Sequence, residues 1–203
     1  MHEKNANVTV VAEQALSDER LLSEILEGLK NRNETIRYNC HKVLMAISRE
    51  RGEVLYPHWD YFVEQLDSSN TYHRLSSVSL LAVLAAVDKE NKFDELFDKY
   101  FGLLGDKGTV LAMYVARNAG KIAVAKLHLC EEITDRLLDI DSVYRGKQLE
   151  LTKSSIIEAF DEFYDESESK DRIIEFVSKQ LDSESPKTRK AAKAFLNKWS
   201  QPV

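Results

Sequence analysis

A chain of 203 residues, 43% hydrophobic and 31% charged, has room for a sizeable core and the make-up of a helix-rich globular protein. Seven glycines and three prolines are too few for a Gly-rich phosphate loop, a barrel or long linkers. A net charge of −6 is unfavourable to binding nucleic acid, and two cysteines without a CxxC spacing support neither a zinc site nor a disulfide framework.

Residues 1–16 lack a sustained helical period and are expected to form a flexible N-terminal segment, leaving a single domain over 17–203. Leu22, Ile25, Leu26 and Leu29 make the apolar stripe of a first helix, and Ile36, Cys40, Val43, Leu44 and Ile47 that of its partner, with Gly52 ending the pair. Pro57 opens a third helix whose buried face is Trp59, Phe62, Val63 and Leu66. The helix after Asn70 is apolar on most of its circumference, through Val78, Leu80, Leu81, Val83, Leu84 and Val87, and is expected to be the most enclosed. Phe93, Leu96, Phe97 and Tyr100 give a fifth helix, which LLGDKG separates from a sixth over 109–125. Cys130, Ile133 and Leu137 mark a seventh; Ile156, Ala159, Phe160 and Phe163 an eighth, after DSVYRGKQLELTK as the longest connection. Ile174, Val177 and Leu181 form a ninth, and Pro186 starts a tenth that ends at Trp199. Strand-type alternation is hard to find, so the fold class is all-α. The longest wholly apolar stretch, 80–87, is far short of a membrane span, and no signal-peptide pattern opens the chain, so a cytoplasmic protein without membrane contact is expected.

The helices repeat. Leu66, Asn70, Arg74, Ser77, Leu81 and Leu84 fall at offsets 0, 4, 8, 11, 15 and 18, and so do Leu181, Ser185, Arg189, Ala192, Leu196 and Trp199. Leu29, Asn33, Arg37, Cys40, Leu44 and Ile47 supply an earlier copy, 37 residues before the Leu66 one; the copy anchored at Leu104 has Ala112 in place of the arginine. A short polar residue at offset 4 caps a second helix, and a small one at offset 11 lets the paired helices approach. This pattern resembles the HEAT repeats of armadillo-type α-solenoids, including the polar residue in the turn and the arginine after it. The resemblance implies a right-handed α-α superhelix of about five helical hairpins, first helices convex and second helices concave, and it specifies fold rather than activity.

No GxxxxGK[ST], GxGxxG, GxSxG or HExxH motif occurs, and no catalytic residue, metal ligand or cofactor site is assigned. His58, Trp59 and Asp60 are adjacent on a helix, where neighbours point about 100° apart, and are read as a capping and packing cluster. Glu131, Glu132 and Asp135 lack a second ligand-bearing segment and are read as a solvated face. Arg37, Arg74 and Arg189 share one repeat position; a guanidinium with five donors suits stitching, to the turn carbonyls or to a carboxylate of the neighbouring repeat. Charge divides by helix type: first helices total −11 and second helices +9. On the second helices, Tyr38, Lys42 and Arg49, then Tyr114, Arg117, Asn118 and Lys121, then Lys187, Lys190 and Lys193 stand opposite the apolar stripes and are expected to line one groove.

These features point to a non-catalytic scaffold whose concave face binds a protein or peptide, expected to be acidic. Two alternatives follow from the same resemblance. Some HEAT-like proteins of this size are DNA glycosylases acting on alkylated bases through a strongly basic groove, and others act as tetrapyrrole lyases. Here the acidic fourth segment of the groove counts against nucleic acid, and no exposed cysteine or histidine pair recommends a tetrapyrrole.

Overall fold

The computed structural model describes residues 7–199, which fall into two compact units, unit 1 up to Glu90 and unit 2 from Asn91, where the sequence suggested one domain. Every regular element among the described residues is helical.

Unit 1 begins with α1 (Val8–Ala15), inside the segment expected to be loose. Asn7 caps it by accepting from the Val10 N–H, and Ala12 and Ala15 are small enough to bring it against α3. Asp18 caps α2 (Glu19–Gly28), whose stripe Leu22, Ile25, Leu26 is buried together with Leu29 at its end. Asn33 accepts from Thr35 and Ile36 N–H to open α3 (Glu34–Leu55). This helix breaks at Arg51 (φ −139°, ψ 57°), and Gly52 follows because a Cβ there would lie 3.2 Å from a Val87 methyl. Pro57 occupies a 3-10 turn leading into α4 (Trp59–Gln65), which buries Trp59 and Phe62. Asn70 caps α5 (Thr71–Leu84), where residues 76–82 are buried without interruption. Within unit 1, α3 lies between α1 and α5.

Asn91 starts unit 2 with a left-handed backbone (φ 56°), a conformation asparagine tolerates, and its side chain accepts from buried Lys126. There follow α6 (Lys92–Gly102), α7 (Thr109–Ala125), α8 (Cys130–Leu138), the single turn α9 (Ile140–Val143), α10 (Leu149–Phe163), α11 (Lys170–Lys179) and α12 (Pro186–Trp199). The long connection expected after α8 is largely taken up by α9 and by Tyr144, whose hydroxyl donates to Thr109 Oγ1 and accepts from the Gln148 N–H. Helix α10 is as enclosed as α5, since residues 152–157 are all buried. Its polar side chains hide this in the sequence: the Thr152 and Ser154 hydroxyls donate to carbonyls of their own helix. Helix α11 buries Ile173, Phe176 and Val177 rather than Ile174 and Leu181, because Phe176 packs edge-on against Phe160 at 5.9 Å and turns the helix by one residue. Within unit 2, α10 lies between α7 and α12.

Most side-chain bonds between helices keep one spacing. Tyr61 donates to the Leu26 carbonyl (35 residues apart), Arg172 to Asp135 (37), and Lys198 and Trp199 to Asp161 (37 and 38), while Arg136 pairs with Asp98 (38). Tyr56–Asp88 at 32 and Arg117–Glu158 at 41 fall close to the same span, whereas the ion pairs Lys187–Glu158 at 29 and Lys153–Asp141 at 12 are shorter.

Candidate interaction surface

The arginines of the repeat act on their own turns. Arg37, 8% exposed, donates to the Asn31 carbonyl at 2.9 Å, and Arg189 donates to the Ser183 carbonyl at 2.6 Å; in each case the acceptor lies six residues earlier. Arg74 is half-buried and also has partners.

The carboxylates noted on α8 serve neighbouring elements. Glu131 accepts from Ser167 Oγ at 2.8 Å, the Glu168 N–H at 2.7 Å and Ser169 Oγ at 2.6 Å, holding the turn before α11. Burial opposes its ionisation, but those hydrogen bonds outweigh it and hold the carboxyl below the usual range. Asp135 accepts from Arg172, and Glu132 is exposed. Trp59 is buried and Asp60 exposed, so His58, Trp59 and Asp60 do not converge. Cys40 and Cys130 are buried free thiols pushed up by burial, Cys130 to about 11, which leaves little thiolate near neutral pH. A pocket of about 590 Å³ opens beside α2, with Ile25, Gly28 and Cys40 deep in it and Arg20 and Glu24 on its rim. Its thiol is the inert one of Cys40.

The outward residues of the second helices differ between the units. In unit 1, Tyr38 is 59% exposed with the Lys42 ammonium 4.8 Å from its ring centre, and Arg49 is exposed. Tyr72, missed in the sequence, is 51% exposed beneath the Arg37 guanidinium at 4.4 Å. In unit 2, Arg117 donates twice to Glu158 (2.8 and 2.6 Å), and Lys187 reaches the same carboxylate at 3.0 Å, so part of the expected basic face is neutralised from within. Asn118, expected at the surface, is buried: its amide donates to the Tyr114 carbonyl and its oxygen accepts from Lys121. Lys190 and Lys193 are exposed. Val110, Tyr114, Arg117, Lys121 and Val124 form one stripe along α7, a helix without a single acidic residue. The two valines are legible in hindsight as i−4 and i+10 from Tyr114.

One asymmetry runs through the described residues. Of the exposed large apolar side chains, Val10, Tyr38, Tyr72, Val110, Tyr114 and Val124 lie on α1, α3, α5 and α7, and Leu127 in the turn after α7; none lies on α2, α4, α6 or any helix from α8 to α12.

His41 sits beside this face on α3, and burial, aided by the Arg49 charge, pushes it down to about 4 from 6.5. The unfolded chain therefore binds the extra proton between those values, and stability present above pH 6.5 is lost as pH falls toward 4. Urea unfolding should show a loss of about 2 kcal/mol between pH 7 and 5 from this group, absent in His41→Gln. An unchanged pH dependence in that variant would show that His41 is not the source.

No family model matches the chain, and no curated protein matches it. Among solved structures, the crystal structure of an engineered protein, a Northeast Structural Genomics Consortium target, aligns with TM-score 0.55 and 16% identity over 96% of this chain and 84% of that one. That likeness is one of helical fold alone. No helix among the described residues is long and apolar enough to cross a membrane.

Proposed function

We propose that the chain is a HEAT-like α-solenoid of about five hairpins acting as a non-catalytic scaffold that binds a protein or peptide through its second helices. The observation that carries the reading is the confinement of exposed large apolar side chains to α1, α3, α5, α7 and the turn after α7. Solvent-facing Tyr and Val on the second helices α3, α5 and α7, with none on the first helices α2, α4, α6, α8 and α11, fits a contact surface better than a uniformly solvated shell, although the second helices α10 and α12 carry none either. The one-repeat spacing of the bonds between helices and the arginine-to-turn bonds support the HEAT part of the proposal. Aromatic and arginine side chains dominate interface energetics, which puts most weight on Tyr38, Tyr114 and Arg117.

A photo-crosslinking amino acid placed at Tyr38 or Tyr114, and for comparison at Glu64 or Glu95 on first helices, tests this in lysate. Discrete protein adducts are expected from the first two positions, with loss of the Tyr38 adduct when Lys42→Glu is added to a folded chain. Adducts mainly from Glu64 or Glu95 would reverse the assignment of faces.

A further inference from the structure

Cations on both units divide between those paired with carboxylates and those that are not. In unit 2, Arg117 and Lys187 meet Glu158, Lys153 meets Asp141 and Glu150, and Lys198 meets Asp161. In unit 1, Arg20 meets Glu24 and Arg51 meets Glu53, but Lys30, Arg32, Arg37, Lys42 and Arg49 pair with no carboxylate among the described residues. Three of them lean on tyrosine rings instead: Lys30 on Tyr61 at 4.6 Å, Arg37 on Tyr72 at 4.4 Å and Lys42 on Tyr38 at 4.8 Å. A ring orients a cation without neutralising it, so the charges of exposed Lys30 and half-buried Lys42 stay available to an outside anion, whereas Arg37 is buried in its own turn. Between these groups stand two histidines with buried, unpartnered ring nitrogens, His41 Nδ1 and His73 Nε2. Burial and the positive charges of Arg37 and Lys30 press His73 down, as burial and Arg49 do His41, a sign that the local field is cationic.

We infer that this face of α3 and α5 is the docking surface for an acidic protein segment, whose carboxylates meet Lys42 and Arg49 and whose apolar residues lie on Tyr38 and Tyr72. The inference rests on the scaffold reading above and adds the chemistry of the partner. Charge complementarity selects the occupant: four cations without a carboxylate partner, Lys30, Arg32, Lys42 and Arg49, call for carboxylates, and two half-exposed tyrosines call for apolar side chains between them. A nucleic acid fits less well, because residues 1–90 carry 14 Asp and Glu against 10 Lys and Arg, so the cationic patch is local and the field around it repels a long polyanion.

The test is an NMR titration of the isotope-labelled full chain with a short synthetic peptide rich in Asp and Glu with interspersed Leu. A Lys-rich peptide of the same length and a single-stranded oligonucleotide of matching charge serve as comparison probes. The acidic peptide is expected to shift amides of α3 and α5, to weaken with added salt, and to lose about tenfold or more in affinity when Tyr38→Ala and Lys42→Glu are combined. Lys147→Glu, an equal charge change on an exposed turn of unit 2, should leave binding intact. No shifts on α3 and α5, tighter binding of the oligonucleotide, or an equal loss in Lys147→Glu would each overturn the assignment. The mapping on the parent chain decides the matter even if the double variant fails to fold. Crosslinks from Tyr38 and Tyr114 without peptide shifts on α3 and α5 would leave the scaffold reading standing and remove this one.

Discussion

Leu81→Ala is expected to destabilise unit 1 by about 2 to 5 kcal/mol, the range for truncating a fully buried leucine. Leu81 is 0% exposed and sits in the stretch of α5 where every residue from 76 to 82 is buried, so no flexible surface side chain is available to fill the space left behind. The cost should divide into lost transfer free energy and a residual cavity, and it should appear as a lower denaturation midpoint with little change in slope. Urea unfolding followed by fluorescence, to which buried Trp59 contributes from the same unit, measures it. A loss below about 1 kcal/mol would show that neighbouring helices collapse onto the site.

The second large effect is one of coupling. A Cβ at Gly28 would stand 2.2 Å from Cys40 Sγ, so Gly28→Ala forces the sulfur or the helices apart. Overpacking of this kind costs about 1 to 3 kcal/mol, against a gain of roughly 0.5 to 1 kcal/mol from replacing glycine with alanine in a helix. Cys40→Ala alone leaves a small void. Combined, the new methyl occupies the place the sulfur vacated, and the double variant should be more stable than the sum of the single changes by about 1 to 3 kcal/mol. Strict additivity in the four-variant cycle would mean that α2 and α3 separate freely at this point, contrary to the packing described.

Much of the helix layout is legible because local chemistry settles it. Asn33, Asn70 and Ser185 all cap helices, as a short polar residue before an apolar stripe suggests, and Pro186 begins α12. What escaped depends on neighbours distant in sequence. Helix α1 is written in Val, Thr and Ala and buries only two alanines, too little for a periodic signal. The burial of α10 is masked by hydroxyls that turn back to their own backbone. The face of α11 is chosen by Phe160, and the neutralisation of Arg117 by Glu158 on another helix 41 residues away. Tyr72 went unnoticed as a surface aromatic because the pattern marked its helix as the most enclosed, whereas its first turn is open.

The nearly constant span of the bonds between helices also bears on how the chain finds its structure. Closing a loop of n residues costs an entropy that grows only with the logarithm of n, so the many links of 32 to 41 residues all face a similar closure barrier, and the shorter Lys187–Glu158 link a slightly lower one. None must wait for a distant terminus. During synthesis, the Leu26 carbonyl has its partner as soon as Tyr61 has emerged, and Asp135 has its own once Arg172 follows. Bonds that close within about one repeat let structure be acquired from the N-terminal side onward, with little time for apolar stripes to stand exposed to other nascent chains.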